Sequence, residues 1–283
     1  MRSVKYLVAA AGAASMLSSA ALAADMAIAP PPQMYAPPPV QDFGGWYLRG
    51  DIGFSNQSVK NVLDTNSAAY NNVAVAQTSS FGSAGIYGGG VGYRFNNWFR
   101  ADVTGEYRGK SNFTGLDVIT GTGPFTGFVG TDAYGATKSE LLFLANAYVD
   151  LGTWYCITPF VGAGVGTARV SIANFTDTGD FINGGQNHSF NSAGTGSEWN
   201  FAWALHAGLA YKISPGLTLE LAYSYVNLGN GITGATNSFD QVTNTTHAAF
   251  SYNNITSNDV KIGLRWDLSA PPVYTPPPLV TKG

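Results

Sequence analysis

The chain has 283 residues, a formal net charge of −3 and 11% charged residues, against about 25% in an ordinary soluble domain. Aromatic and branched residues are too plentiful for a disordered chain, and the slight acidity excludes a basic nucleic-acid-binding surface, so no nucleic-acid partner is expected. The single cysteine, Cys156, excludes an internal disulfide and is read as a free thiol without a role.

In chain order, residues 1–23 read as a secretory signal peptide. Arg2 and Lys5 precede an apolar stretch from Tyr6 to Leu17, and Ala21-Leu22-Ala23 supplies an A-x-A cleavage signal. Residues 24–42 and 269–283 carry proline runs, "APPPQMYAPPPV" and "APPVYTPPPLV", that favour extended polyproline II and serve as periplasmic spacers. Between them, residues 43–268 hold eight strand-like segments.

The first is "GWYLRGDIGFS", with Trp46, Leu48, Ile52 and Phe54 on one face and Tyr47, Arg49, Asp51 and Ser55 on the other. The second, "GIYGGGVGYRF", sets Tyr87, Val91 and Tyr93 against Gly88, Gly90 and Arg94. In the third, Phe99, Ala101, Val103 and Tyr107 alternate with Arg100, Asp102, Glu106 and Arg108. The fourth sets Leu141, Phe143 and Val149 against Glu140, Asn146, Tyr148 and Asp150. The fifth, "TPFVGAGVGTARVS", is glycine-rich, with Arg169 placed on the charged face. Its "GAGVG" lacks the helix and terminal Lys-Ser/Thr that a phosphate loop needs. The sixth opposes Trp199, Phe201, Trp203 and Leu205 to Asn200, Ala204, His206 and Lys212. The seventh opposes Leu219, Leu221 and Tyr223 to Glu220 and Ser224, and the eighth Val260, Ile262, Leu264 and Trp266 to Asp259, Lys261, Arg265 and Asp267.

Short turns at Asn96-Asn97, Gly152–Cys156 and Ser214-Pro215-Gly216 alternate with long, nearly uncharged connectors at 57–82, 111–137, 173–197 and 230–257. The long ones read as loops at one end of an up-and-down sheet.

Two solutions fit two-faced strands. A soluble barrel packs its apolar faces inward; a membrane barrel turns them to lipid and encloses its charges. The apolar faces here carry tryptophan, phenylalanine and tyrosine, which would overfill a small barrel. The charged faces carry small residues such as Gly53, Gly90, Gly92, Ala204, Gly208 and Ala222, which suit a narrow interior. The fold expected is all-β: an eight-stranded antiparallel up-and-down transmembrane β-barrel with strands of about 9–11 residues. Slipping the third strand by one residue would turn Arg100, Asp102, Glu106 and Arg108 outward together, at roughly 2–4 kcal/mol for each cation near the midplane.

Enclosed charges must pair. The expected interior network comprises Arg49, Asp51, Arg94, Arg100, Asp102, Glu106, Arg108, Glu140, Lys212, Glu220, Lys261, Arg265 and Asp267, with Asp150 a further counter-ion. It reads as a structural plug rather than an ion-selective lining. The three histidines have no metal-ligand spacing, so no metal or cofactor is expected. Glu220, Ser224 and His206 are the set a hydrolase would use, but each has a structural explanation and no enzyme is expected.

The signal peptide, "GWYLRGDIGFS", "GVGYRFNNWFRADVTGEYRGKS", "LANAYVDLG", "TPFVGAGVGTA" and "DVKIGLRWDL" together resemble the small outer-membrane β-barrel proteins of alphaproteobacteria, also called a porin family. These are relatives in architecture of the OmpA membrane domain and the opacity proteins. The resemblance covers roughly residues 43–268 and implies an outer-membrane surface antigen among lipid and lipopolysaccharide. Some members bind hemin or adhere, which makes His188 and His247, on the expected outer loops, the hemin candidates. The expectation is a structural surface barrel contributing to envelope integrity and displaying four external loops to an external ligand. A narrow passive porin for small solutes, or a surface hemin or adhesion module, is the alternative. Oligomeric state stays open.

Overall fold

The computed structural model describes residues 44–64, 72–181, 187–239, 241 and 243–268. The expected leader and both proline-rich segments lie outside the described residues.

The described chain is almost wholly strand. Eight strands close a ring: β1 (Gly45–Asp64), β3 (Ala84–Arg94), β4 (Phe99–Gly121), β5 (Val129–Asp150), β6 (Ile157–Phe181), β8 (Gly196–Ser214), β9 (Leu217–Ile232) and β12 (Phe250–Asp267). Each is antiparallel to its neighbours, and β12 returns to β1. Within the barrel the side chains face as the alternation requires. Trp46, Phe54, Val103, Phe143, Trp199, Phe201, Leu264 and Trp266 are exposed to the outside, while Tyr47, Asp51, Arg100, Asp102, Arg108 and Glu220 are buried within.

The tight turns have local causes. Asn96 Oδ1 accepts from the backbone N–H groups of Trp98 (3.0 Å) and Phe99 (2.7 Å), an Asx arrangement that reverses the chain. At the next turn Gly152, Tyr155 and Cys156 take positive φ values of 110°, 48° and 67°, and Trp154 and Ile157 exchange backbone hydrogen bonds. Exposed rings cluster at this end, with Trp46–Tyr93, Tyr93–Phe95 and Phe95–Phe99 centroids 5.1–5.3 Å apart. They form the aromatic girdle of the short-turn side.

The structure corrects the reading of the long connectors as loops. β4 has 23 residues and β6 has 25, more than twice the 9–11 that cross a bilayer. The segments read as loops continue the sheet outward. They are joined by β2 (Val73–Phe81) on β4, β7 (Asn187–Ala193) on β6, and β10 (Thr236–Phe239) and β11 (Asn244–His247) beyond it. The result is a β-collar standing above the membrane-embedded barrel.

Extra residues mark the passage from one to the other. β4 buries even positions up to Arg108 and odd ones from Ser111, across a bulge at Gly109-Lys110. β6 switches in the same way between Ile172 and Phe175, with Asn174 at φ +52°; β12 switches between Ile255 and Tyr252, with Asn254 at φ +55°. In β9, Gly229 holds φ +80° where its facing changes. One added residue reverses the facing of everything beyond it. Phe113, Phe175 and Tyr252 therefore turn inward and join Val62, Tyr134, Leu142, Val170 and Leu228 in one buried apolar cluster.

Above Ser55, β1 no longer pairs with β3, and β2 pairs with β4 alone. A side chain bridges this seam: Gln77 Nε2 donates to Val62 O and Gln77 Oε1 accepts from Val62 N–H, each at 3.1 Å. The amide takes the place of a missing strand's peptide group.

Candidate functional site

The lumen of the embedded barrel is filled by charge. At its short-turn end Arg49, from β1, donates to both oxygens of Asp51 (3.0 and 2.8 Å), to Asp102 Oδ2 (3.0 Å) and to the Tyr148 hydroxyl (3.0 Å). Glu220 accepts from Arg265 at 2.7 Å and lies 3.3 Å from Arg100 and 3.7 Å from Arg49. The Arg100 guanidinium lies between two rings, 4.2 Å from the Tyr148 centroid and 4.8 Å from that of Phe160, and its Nε donates to Asp150. Tyr47 donates to Asp102 Oδ2, and Arg94 pairs with Asp267 at 3.6 Å.

A second cluster lies towards the collar. Arg108 forks onto Asp259 (3.2 and 2.5 Å) and also reaches Glu106 at 3.2 Å, while Lys261 donates to Glu106 at 2.5 Å. Above them Lys138 binds Glu140 and Gln57, and Gln57 Nε2 donates to Glu140 Oε2 at 3.1 Å. Between the clusters Asn146 donates to Asp102 (2.8 Å) and Thr104 (3.0 Å), and its Oδ1 meets His206 Nε2 at 3.2 Å.

Interior glycines make room for these groups. A Cβ on Gly92 would lie 2.3 Å from the Tyr47 ring, and one on Gly162 would lie 2.4 Å from that of Tyr148. The lumen is thus closely packed at these glycines, and Arg100 and Arg108 have no exposed surface. On the short-turn side the network ends in a polar recess of about 280 Å³ lined by Arg94, Asp150, Lys212, Thr218, Arg265 and Asp267.

Two expected residues lie elsewhere. Lys212 is exposed at the rim of that recess: it stays in register opposite Thr218, but stands at the mouth of the barrel where the enclosed network ends. Arg169 faces outward, opposite Leu141 and Trp199, because β6 keeps even positions inward up to Ile172. The structure also adds members that the sequence reading left out of the network. Lys138 stands two residues before Glu140, and Asp259 two before Lys261, so parity alone gives their facing. The ring contacts of Tyr148 and Phe160 on Arg100 have no sequence signal.

Ser224 and His206 are 2.8 Å apart, Oγ to Nδ1, but Glu220 serves the arginines and not His206. Asn146 stands on the imidazole's other side. The Ser224 hydroxyl is wholly buried within the packed lumen, so a substrate has no approach to it. Among the described residues no His, Cys, Asp or Glu group is arranged to hold a metal. His188 and His247 lie on β7 and β11, their backbones opposite Asp180 and Thr236. Their side chains lie outside what the structure describes. Cys156 is exposed with a free thiol.

A closed ring of two-faced strands around an ionic core is an outer-membrane architecture. The family model described as outer membrane protein beta-barrel domain matches residues 9–266. The chain belongs to this family. It is an outer-membrane protein, and its relatives extend along most of its length. An uncharacterized protein of Brucella abortus is 31% identical over 223 residues, 74% of this chain and 76% of the relative. Outer membrane protein PagN of Salmonella typhimurium is 28% identical over 65% of this chain and 75% of its own length. A putative adhesin of Rickettsia felis is 29% identical over 79% of this chain and 88% of the relative. Among solved structures, Neisserial surface protein A aligns with a TM-score of 0.42 at 14% identity, covering 79% of this chain and 97% of that one.

Proposed function

We propose that this outer-membrane barrel is a non-conducting surface protein. Its embedded part contributes to envelope integrity, and its collar is a rigid platform for an external ligand. The observation that carries this reading is the closed lumen: the guanidinium groups crossing it are buried and bound to carboxylates. A network of this kind is a plug and not a path, since a solute would have to displace several buried ion pairs at once. Purified protein in a planar bilayer should show no discrete conductance steps. Steps in the wild type would overturn the reading in favour of the narrow porin.

Arg169 supports a lipopolysaccharide contact. It projects from the lipid-facing wall beside Trp199, at the collar end of the barrel, where a cation meets the anionic groups of the outer leaflet. Adhesion is the second reading. It is favoured by the relative named a putative adhesin, and by Phe190 and Phe239, which lie directly opposite each other on β7 and β10 with about half of each side chain exposed. Two exposed rings on a polar sheet are a natural contact point for a partner. Cells displaying a Phe190→Ser, Phe239→Ser variant should lose host-cell binding while the barrel stays heat-modifiable on gels. Unchanged binding would remove the adhesive role of this face. The hemin alternative is tested on β7 and β11 by titration: a Soret shift abolished by His188→Ala or His247→Ala would support it, and no shift would remove it.

A further inference from the structure

The collar's inner face carries three carboxylates on adjacent strands. Asp117 of β4 and Asp132 of β5 are direct cross-strand partners. Asp177 of β6 is opposite Tyr134 and so diagonal to Asp132. Like charges placed directly opposite destabilise a sheet. Below them the nearest inward cation, Lys138, is already bound to Glu140. Lys60, Lys110 and Arg169 are exposed on the outer wall.

Two of the three acids are held in place. Asp117 accepts from the Tyr134 hydroxyl at 2.7 Å and from Gln77 at 3.3 Å, and Asp177 accepts from Asn191 at 2.8 Å. Asp132 makes no hydrogen bond or ion pair with any described residue. Burial, then Asp177, Asp117 and Asp180, push its carboxyl up to about 7. A second, independent feature points into the same space. Tyr252 is completely buried, yet its hydroxyl has no hydrogen-bond partner among the described residues. Burial and the Asp177 carboxylate both raise that hydroxyl. Beneath the acids lie aromatic rings: Phe113 is 5.0 Å from Tyr252 and 5.9 Å from Tyr134, centroid to centroid.

We propose that this part of the collar is a binding cup for an alkyl-ammonium group, held by Asp132 with Asp117 and Asp177 above the rings of Phe113, Tyr134 and Tyr252. The ammonium supplies the positive partner that Asp132 lacks among the described residues, donates to that carboxylate and to the Tyr252 oxygen, and lies on ring faces that attract cations. A compact metal ion suits the cup less well, because the acids do not converge as chelating ligands. The ammonium can come from a free polyamine or from a lysine side chain of a partner protein. This proposal stands apart from the adhesive reading, which rests on the outer face.

The test is calorimetric titration of the full chain in detergent micelles with spermidine, with a lysine-containing peptide blocked at both ends, and with calcium chloride. Binding of the amine should weaken by about tenfold or more in Asp132→Asn and again in Asp177→Asn, and stay unchanged in Glu198→Gln, an exposed carboxylate at the start of β8 opposite Val170. It should also weaken as pH falls from 8 to 6, as Asp132 takes up a proton in the company of Asp117, Asp177, Asp180, Tyr134 and Tyr252. Asp132→Asn removes repulsion, so the variant keeps its fold, checked by heat-modifiability. Spermidine binding without the peptide assigns a small polyamine; peptide binding without spermidine assigns a partner's lysine. Equal affinity in wild type and Asp132→Asn, binding of calcium alone, or no binding of either amine would overturn the proposal.

Discussion

The embedded barrel and the collar are one continuous sheet with opposite interiors. Below the bulges, large apolar side chains face out and ion pairs fill the lumen. Above them, phenylalanine and tyrosine turn in, while threonine, serine and asparagine face water. The backbone ladder is the same in both, so secondary structure does not distinguish them. The surrounding medium does: hydrocarbon takes apolar side chains and excludes charge, whereas water reverses both preferences. A bulge at the boundary lets a strand change its facing without leaving the sheet.

The largest effect expected on this contrast comes from breaking the ionic core. Arg108→Ala leaves Asp259 and Glu106 buried without their shared partner and should cost roughly 3–5 kcal/mol in urea unfolding from micelles. The pair Arg108→Met with Asp259→Leu should cost much less, because no charge is left stranded. Phe113→Ala empties the collar's apolar cluster and should cost about 3–5 kcal/mol locally. Limited proteolysis should then trim the collar and leave the embedded barrel intact; loss of both together would mean that they fold as one unit.

Charge scanning on the outer wall is a finer comparison. Val103→Arg faces hydrocarbon and should cost about 2–4 kcal/mol, whereas Thr178→Arg faces water and should stay within about 0.5 kcal/mol. Equal costs would place the lipid boundary elsewhere. At the boundary itself, Gly229→Ala forces φ +80° on a residue with a Cβ, which would lie 2.5 Å from the Asn200 Cβ. It should cost about 1–3 kcal/mol, read as a lower urea midpoint.

The smallest effect is set by pH. Asp132 titrates near 7 when folded, well above an ordinary aspartate, so the folded collar holds its proton more tightly than the unfolded chain does. Collar stability from this group is therefore full below the unfolded value, near 4, and is lost as pH rises through about 7. Asp132→Asn should raise collar stability at pH 8 and leave it nearly unchanged at pH 4, measured by amide exchange.

Alternation exposes the facing of Arg100, Asp102, Glu106 and Arg108 to direct reading, because a strand has period two whatever surrounds it. The same rule fails for residues 111–137 and 173–181. There the polar, glycine-containing composition resembles a loop, and one extra residue shifts the phase of the pattern. Lys212 and Arg169 differ from the expectation for separate reasons: one keeps its inward parity but stands at the open mouth of the barrel, and the other lies in a strand whose glycines blur the alternation.

By itself, then, the sequence determined the barrel, its eight ring strands, the turns on one side and the sign of each embedded face, because these follow from local periodicity and turn chemistry. The tertiary structure decided which carboxylate each cation meets, that the connectors rise as a collar, and that Asp117, Asp132 and Asp177 gather on its inner face. Those are contacts between strands far apart in the chain, and only ring closure and bulge position bring them together.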